Sequence, residues 1–289
     1  MASLRDVRRR IRSVQNTQKI TKAMQVVSAT KLRRAQQQVQ AARPYAEKMV
    51  EVLSTTAERA RSYKHPFLEH REGRRAVVIL VTADRGLAGA LNVNTIRGAL
   101  RAVTRDYPEH PRFVTLGRKG RDFLLRFRRD VVADASNLGD RPALSEVLPA
   151  VTVALDEYRE GRVDVVLLAY ARWVSTLRQE PVVRTMVPVE VPAGASDAMR
   201  ADYIYEPEPE QVMGALLPRY VETQVYQAVL ENKASEHSAR MIAMQNATNA
   251  AGDLIKGLTR TANKVRQASI TAELMEIVGG SEALRDAAR

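Results

Sequence analysis

Residues 243–275 read AMQNATNAAGDLIKGLTRTANKVRQASITAELM. Within them Ala243, Ala247, Ala250, Leu254, Leu258, Thr261, Val265, Ala268, Ala272 and Met275 step by fours and threes, the repeat that winds one helix left-handedly around another. Small residues in that seam let two backbones come close. No proline interrupts Arg219 to Arg289, so the segment reads as helix nearly throughout. At about 1.5 Å per residue, a helix from near Glu210 to Ile277 reaches on the order of 100 Å, several times the width of a domain this size. Such a helix leaves the globule, and its apolar stripe requires a companion.

The other segment of matching character is residues 3–60. Met1 to Arg43 contains neither proline nor glycine and is dominated by strong helix formers, with Ser3 placed to cap its start. Leu4, Val7, Ile11 and Val14 recur at threes and fours. After a slip the pattern resumes through Met24, Ser28, Lys31, Ala35, Val39, Ala42, Ala46, Met49 and Leu53. Pro44 removes one helical hydrogen bond and can kink a helix that otherwise runs on to about Arg61. The two terminal helices are therefore expected to pair as a long antiparallel coiled coil.

Between them the period changes. Arg75 to Thr82, Arg112 to Leu116, Val131 to Ala133 and Val163 to Tyr170 are short branched apolar runs, and Trp173 to Thr176 with Val182 to Val189 adds a strand or hairpin. Helices are expected over Leu91 to Arg105, Arg118 to Phe127 and Leu144 to Glu160, which gives an α/β domain with a mostly parallel, Rossmann-like sheet. Glu206-Pro207-Glu208-Pro209 makes a stiff exit into the last helix. The division is thus 1–60, an N-terminal coiled-coil helix; 61–208, the α/β domain; and 209–289, a C-terminal coiled-coil helix.

Composition narrows the function classes. With 289 residues, 45% of them apolar, the chain can bury a real core. There is no cysteine, which excludes disulfides, thiolate metal sites and cysteine nucleophiles and suits a reducing compartment. His65, His70, His110 and His237 are scattered without HExxH spacing and read as surface or satisfied residues rather than metal ligands. The longest apolar runs, such as Ala76 to Val81, fall far short of the roughly 20 residues of a membrane span.

The formal charge of +12 is unevenly placed: residues 1–43 hold eleven Lys/Arg against the single acid Asp6. Residues 44–230 and 231–289 each carry a net +1. The basic helix contains no aromatic residue for stacking bases, so a solvated face comes first, an acidic protein surface second and nucleic acid third.

The sharpest local motif follows the first strand: Thr82-Ala83-Asp84-Arg85-Gly86-Leu87-Ala88-Gly89-Ala90-Leu91-Asn92, a glycine-bearing turn into a helix. Such turns can hold phosphate, but neither GxGxxG nor GxxxxGK[ST] is present, so a tight structural turn is the better reading. Gly117-Arg118-Lys119-Gly120 is similar. No GxSxG elbow or His/Asp/Ser grouping supports an enzyme, and no cofactor is expected. Three classes stay open on the residues alone: a nucleic-acid adaptor, a structural coiled coil with an appended domain, and a nucleotide enzyme.

Residues 10–35, RIRSVQNTQKITKAMQVVSATKLRRA, resemble the N-terminal signature of gamma subunits of F-type ATP synthases. Residues 82–92, TADRGLAGALN, resemble the family's loop after its first strand, with Ala88 and Ala90 where many members have cysteine and glycine. Residues 264–280, KVRQASITAELMEIVGG, are similar to its C-terminal signature, preceded by Ala234-Ser235-Glu236-His237 and Arg240-Met241. The cysteine-bearing regulatory insertion of photosynthetic-organelle members has no counterpart here.

That resemblance implies a non-catalytic rotor shaft that couples rotation of a membrane ring to ATP synthesis or hydrolysis in catalytic beta subunits. The implied partners are alpha and beta subunits, an epsilon subunit and a ring of c subunits, with no nucleic acid. The implied location is the cytoplasmic face of the plasma membrane, peripherally. By the same resemblance Met24 faces the beta subunits' acidic lever segment, with Lys22 and Lys31 as electrostatic neighbours. Arg266, Gln267 and Thr271 match positions that meet a beta-subunit loop. Tyr205 and Glu206 match the foot that approaches the ring.

Overall fold

The computed structural model describes residues 3–60, 63–190 and 208–287, with side chains described as far as 281. Tyr205 and Glu206 lie outside the described residues. The chain forms two compact units, Ser28–Met241 and the combination of Met1–Val27 with Ile242–Arg289. Both unit boundaries fall inside helices, α1 (Leu4–Arg59) and the C-terminal Pro209–Ala287.

The larger unit is organised by β1 (Arg75–Val81), whose sequence RAVVILV is buried from its second residue onward. An uninterrupted branched apolar run is what a central strand covered on both faces requires. Its alternate residues separate cleanly: Ala76, Val78 and Leu80 enter one core, Val77, Ile79 and Val81 the other. The first core is covered by α2 (Leu91–Asp106) and α3 (Arg118–Arg126) through Ile96, Ala99, Val103 and Leu124. The second is covered by α4 (Leu144–Arg159), by Leu53 of α1 and by Met213, Leu217 and Val221 of the C-terminal helix.

The remaining strands are β2 (Glu109–Leu116), β3 (Asp130–Ala135), β4 (Val165–Trp173) and β5 (Gln179–Val187). They lie in the order β3-β2-β1-β4-β5, parallel except for β5, which returns antiparallel from β4 as a hairpin. The chain therefore builds outward from β1 on one side and then crosses to its other side, leaving a topological switch point between β1 and β4. In open α/β sheets the crevice beyond the strand ends at that point is where ligands bind.

The Pro209–Ala287 helix, hereafter α5, runs antiparallel to α1 within each unit. In the larger unit Leu32 and Ala35 of α1 cluster with Ala234, while Leu53, further along α1, joins the cluster that holds Met213. In the smaller unit the Oγ1 atoms of Thr21 and Thr248 lie 2.7 Å apart, and a Cβ on Gly252 would come within 3.1 Å of Gln18 Nε2. Position falls along one helix as it rises along the other.

Two details of the seam differ from the sequence reading. On α1 there is no slip, because half-buried Gln18 and buried Thr21 carry the threes-and-fours pattern onward from Val14. Gln18 Nε2 donates to the Thr248 carbonyl at 3.4 Å, and the threonine hydroxyls bond each other. Polar residues can hold seam positions when such partners satisfy them, a trade of about 0.5–1.5 kcal/mol per bond.

On α5 the covered face is Met244, Thr248, Ala251, Ile255, Leu258, Ala262 and Val265, so Ala250, Leu254, Thr261, Ala268, Ala272 and Met275 are exposed. Both sets share the 3-4 spacing. Close backbone approach selects the face with Ala251, Gly252 and Ala262 over the one led by Leu254. Pro44 sits exposed within α1, whose helix continues past it.

Candidate functional site

The switch-point crevice is occupied by the protein itself. Residues 232–240 of α5, NKASEHSAR, cross the carboxyl ends of the strands and bond to two of the loops there and to the end of β4. Asn232 Oδ1 accepts from the Ala171 N–H at 3.2 Å, and Ser235 Oγ donates to the Ala171 carbonyl at 2.8 Å. Lys233 Nζ donates to the Leu138 carbonyl at 3.0 Å. Arg240 Nε donates to the Gly86 carbonyl at 3.2 Å, and its Nη2 reaches the Arg85 and Gly86 carbonyls. About two and a half turns of helix thus tie the segments after β1 and β3 to the end of β4.

Helical spacing supplies the electrostatics. Lys233, Glu236 and Arg240 stand at i, i+3 and i+7, and Arg240 Nη2 donates to Glu236 Oε1 at 2.7 Å. Lys233 Nζ lies 3.6 Å from Glu236 Oε2 and 3.7 Å from Asp84 Oδ2, and all three side chains are buried. A buried charge requires a partner, and here each does.

Asp84 ties the turn before α3 to the segment after β3. Its Oδ1 accepts the backbone N–H groups of Arg118 and Asn137, both at 2.9 Å. Lys119 N–H donates to the Ala83 carbonyl and Gly120 N–H to Thr82 Oγ1. The first-turn donors of α3, the groups that would hold a phosphate, are therefore satisfied within the chain. This closure is shown for Gly117-Arg118-Lys119-Gly120, at the start of α3. A cavity of about 410 Å³ remains beside the strap, lined by Asp84, Arg118, Asn137, Lys233 and Glu236. Among the described residues there is no group of three or more His, Asp or Glu side chains that could hold a metal ion.

His237 departs from the sequence reading of an ordinary surface or satisfied histidine. It is 2% exposed and neither ring nitrogen has a hydrogen-bond partner among the described residues, although Nε2 lies 3.5 Å from Asp140 Oδ1. Desolvation lowers its pKa, assisted by Arg240 and Lys233 and opposed by Glu236 and Asp140. Burial raises the Asp140 pKa, but the Lys31 ammonium 2.8 Å away, with His237 and Lys233, outweighs it and the net shift is down.

The sign of the resulting pH dependence follows. Below the ordinary histidine value of 6.5 the unfolded chain binds a proton that folded His237 does not. Stability from burying the neutral ring is present above that value and is lost as pH falls toward the folded pKa. His237→Gln should therefore flatten the decline in urea midpoint between about pH 7.5 and about pH 5.5. His65, shifted down by its own burial and by Arg159, leaves some decline in the variant. Parallel profiles for the two proteins would show that His237 does not titrate in that range.

Of the partner-contact residues expected from the sequence, Lys31 is found beside this strap, half-buried and paired with Asp140. Lys22 is exposed and bonds Gln25 Oε1 at 3.4 Å, and Met24 is half-buried on α1. Arg266, Gln267 and Thr271 are exposed on α5, where the Thr271 hydroxyl donates to the Gln267 carbonyl at 3.0 Å. Sequence reasoning named Ala234-Ser235-Glu236-His237 and Arg240-Met241 as a stretch of the family resemblance and Asp84 as part of a turn, but did not bring them together with Asn232 and Lys233 as one site. Its available signal was a run of small and polar residues, NKASEHSAR, within a proline-free helix.

Comparison with known proteins converges on one family. The family model described as ATP synthase matches residues 3–284. The ATP synthase gamma chain of Herpetosiphon aurantiacus is 48% identical over 295 residues, covering 98% of this chain and 99% of that one. That of Paraburkholderia phytofirmans is 45% identical over 294 residues, covering 98% and 100%.

Among solved structures, a chain of the Euglena gracilis mitochondrial ATP synthase, determined with OSCP, F1 and c-ring, aligns with a TM-score of 0.68 at 20% identity. It covers 99% of this chain and 96% of its own length. A chain from the central stalk and c-ring of the Tetrahymena thermophila mitochondrial enzyme aligns with a TM-score of 0.59 at 23% identity, over 79% and 99% of the two chains. At these identities the structural likeness speaks to the fold, two long helices flanking a five-stranded sheet. The sequence matches extend from end to end, and the chain belongs to the ATP synthase gamma-chain family.

Proposed function

We infer that this chain is the central rotor shaft of an F-type ATP synthase. In this reading its paired helices stand inside a head of alpha and beta subunits, and its α/β domain sits with an epsilon subunit on a ring of c subunits. ATP chemistry belongs to the beta subunits, and the chain itself is non-catalytic. It is peripheral, held at the cytoplasmic face of the plasma membrane through the complex. Among the described residues no helix is long and apolar enough to cross a membrane. The observation that carries the reading is identity of 48% and 45% to gamma chains over 98% of this chain.

The mechanism we propose is asymmetric contact. A shaft that presents different side chains to each beta subunit favours a different nucleotide-binding conformation at each angle, and only differential contact can shift such an equilibrium. The division 1–60, 61–208 and 209–289 then separates the shaft helices from the domain on the ring. Strapping of the domain onto residues 232–240 of α5 suits a part that must turn with its shaft. Met24 with Lys22 would meet the beta subunits' acidic lever segment. Lys31 would act there as well as on Asp140. Arg266, Gln267 and Thr271 would meet a beta-subunit loop, and Tyr205 with Glu206 the ring.

The test is co-expression with the alpha and beta subunits of the same complex. The wild-type chain should co-purify in stoichiometric yield and show no turnover alone. Arg266→Ala with Gln267→Ala removes exposed donors without lowering helix propensity. The double variant should assemble normally and lose about tenfold in ATPase rate, the factor given by ~1.4 kcal/mol of lost discrimination. Wild-type turnover would remove the role of these two residues. Absence of co-purification would remove the rotor reading itself.

A further inference from the structure

The near-neutral middle of the sequence conceals a basic layer. Residues 91–130, which make α2, β2, α3 and the start of β3, contain ten Lys/Arg against four Asp/Glu. On α2, Arg97 and Arg101 are exposed one turn apart and neither has an ion-pair partner among the described residues. Arg105, the next in that row, is held by the two carboxylate oxygens of its neighbour Asp106 at 2.7 and 2.8 Å. Like charges at i, i+4 repel each other on a helix surface.

Beneath those arginines lies a groove of about 510 Å³ whose apolar walls include Val93, Ile96, Leu100 and Phe123. Val93 is 50% exposed, and Phe127, whose ring centroid is 4.6 Å from that of Phe123, is 59% exposed. An apolar floor with unpaired cations along its rim has a definite complement. It suits a helix with apolar residues at i, i+3 and i+7 and acids on its flanks. The groove is walled by α2 and α3 side chains and offers no strand edge of its own, so a helix fits it and an added strand does not.

We propose that this groove seats an acidic amphipathic helix of another polypeptide, its apolar face on Val93, Leu100 and Phe123 and its carboxylates against Arg97 and Arg101. The cations set orientation and encounter rate, and the apolar floor holds the helix once docked. The inference stands on this chain's own residues and does not require the rotor reading.

Two measurements test it. In the first, a fluorescein-labelled synthetic helix with leucines at i, i+3, i+4 and i+7 and flanking glutamates is titrated with the full chain and followed by anisotropy. Binding should saturate, weaken with added salt, and fall at least about tenfold in Arg97→Glu/Arg101→Glu. Both positions are exposed, and circular dichroism verifies that the variant is folded. A scrambled peptide of the same composition should not bind. No binding, equal binding of the scrambled peptide, or unchanged affinity in a folded variant would each overturn the proposal.

In the second, a benzophenone amino acid replaces Val93 in the full chain expressed in its host cell and the photo-adduct is sequenced. An adduct on an acidic helical segment of another polypeptide supports the proposal. An adduct on lipid or on a second copy of this chain, or no adduct at all, counts against it.

Discussion

Lys233→Met is expected to destabilise the larger unit by about 3–5 kcal/mol, the usual cost of removing one member of a buried ion network. Methionine matches lysine in helix propensity and approximate length, so the loss would not come from the helix itself. It would come from Asp84 and Glu236, whose Oδ2 and Oε2 atoms would be left buried without the ammonium now 3.7 and 3.6 Å away. The Leu138 carbonyl would also lose its donor. Denaturant unfolding of the full chain measures this directly. Adding Asp84→Asn should restore part of the loss, because the amide keeps the acceptor for the Arg118 and Asn137 N–H groups and removes a stranded charge. A Lys233→Met chain within about 1 kcal/mol of wild type would show that the network does not hold the strap.

Gly117→Ala should cost about as much for a different reason. Gly117 has φ of +113°, a backbone region open to glycine almost alone, and an added Cβ would come 2.1 Å from the Thr82 carbonyl oxygen. The clash is with backbone just past the end of β1, which cannot rotate away as a side chain could. Its N–H also donates to the Ala135 carbonyl, so displacement of the turn disturbs three strand ends at once. A loss of about 3 kcal/mol or more is expected. Gly89→Ala supplies the control: φ there is +56° with nothing within 4 Å of the added carbon, and about 1 kcal/mol is expected. Equal losses at the two positions would show that close approach at Gly117 is not what matters.

Most of the fold was legible because its signals are local. RAVVILV at 75–81 can serve as little but a central strand, and the helices expected at Leu91, Arg118 and Leu144 begin at those residues. The seam of α5 was harder, since two faces one residue apart carry the same spacing. Which one is covered depends on how closely the backbones approach and on a threonine pair 227 residues apart in sequence. The strap was less legible still. Nothing in NKASEHSAR announces that its lysine will lie near Asp84, because that proximity is set by the crossing of α5 over the strand ends. His237 shows the same limit, being buried by tertiary structure in a stretch whose composition looks solvated.

The separation between Thr21 and Thr248 also bears on how the chain is made. At roughly 5–20 residues per second, synthesis would run for about 10–45 s between the appearance of Thr21 and that of the residue whose hydroxyl it meets, 227 positions later. Until then the first helix emerges with Val7, Thr21 and their seam neighbours facing water or whatever protects nascent chains. Closing such a long segment adds little equilibrium cost, because loop entropy grows only logarithmically, but it delays the pairing kinetically. The larger unit has its sheet complete at Val187, well before the last turns of α5 exist. Birth order on the ribosome thus runs opposite to adjacency in the folded chain: α1 waits for the far part of α5, although the two lie side by side at Thr21 and Thr248.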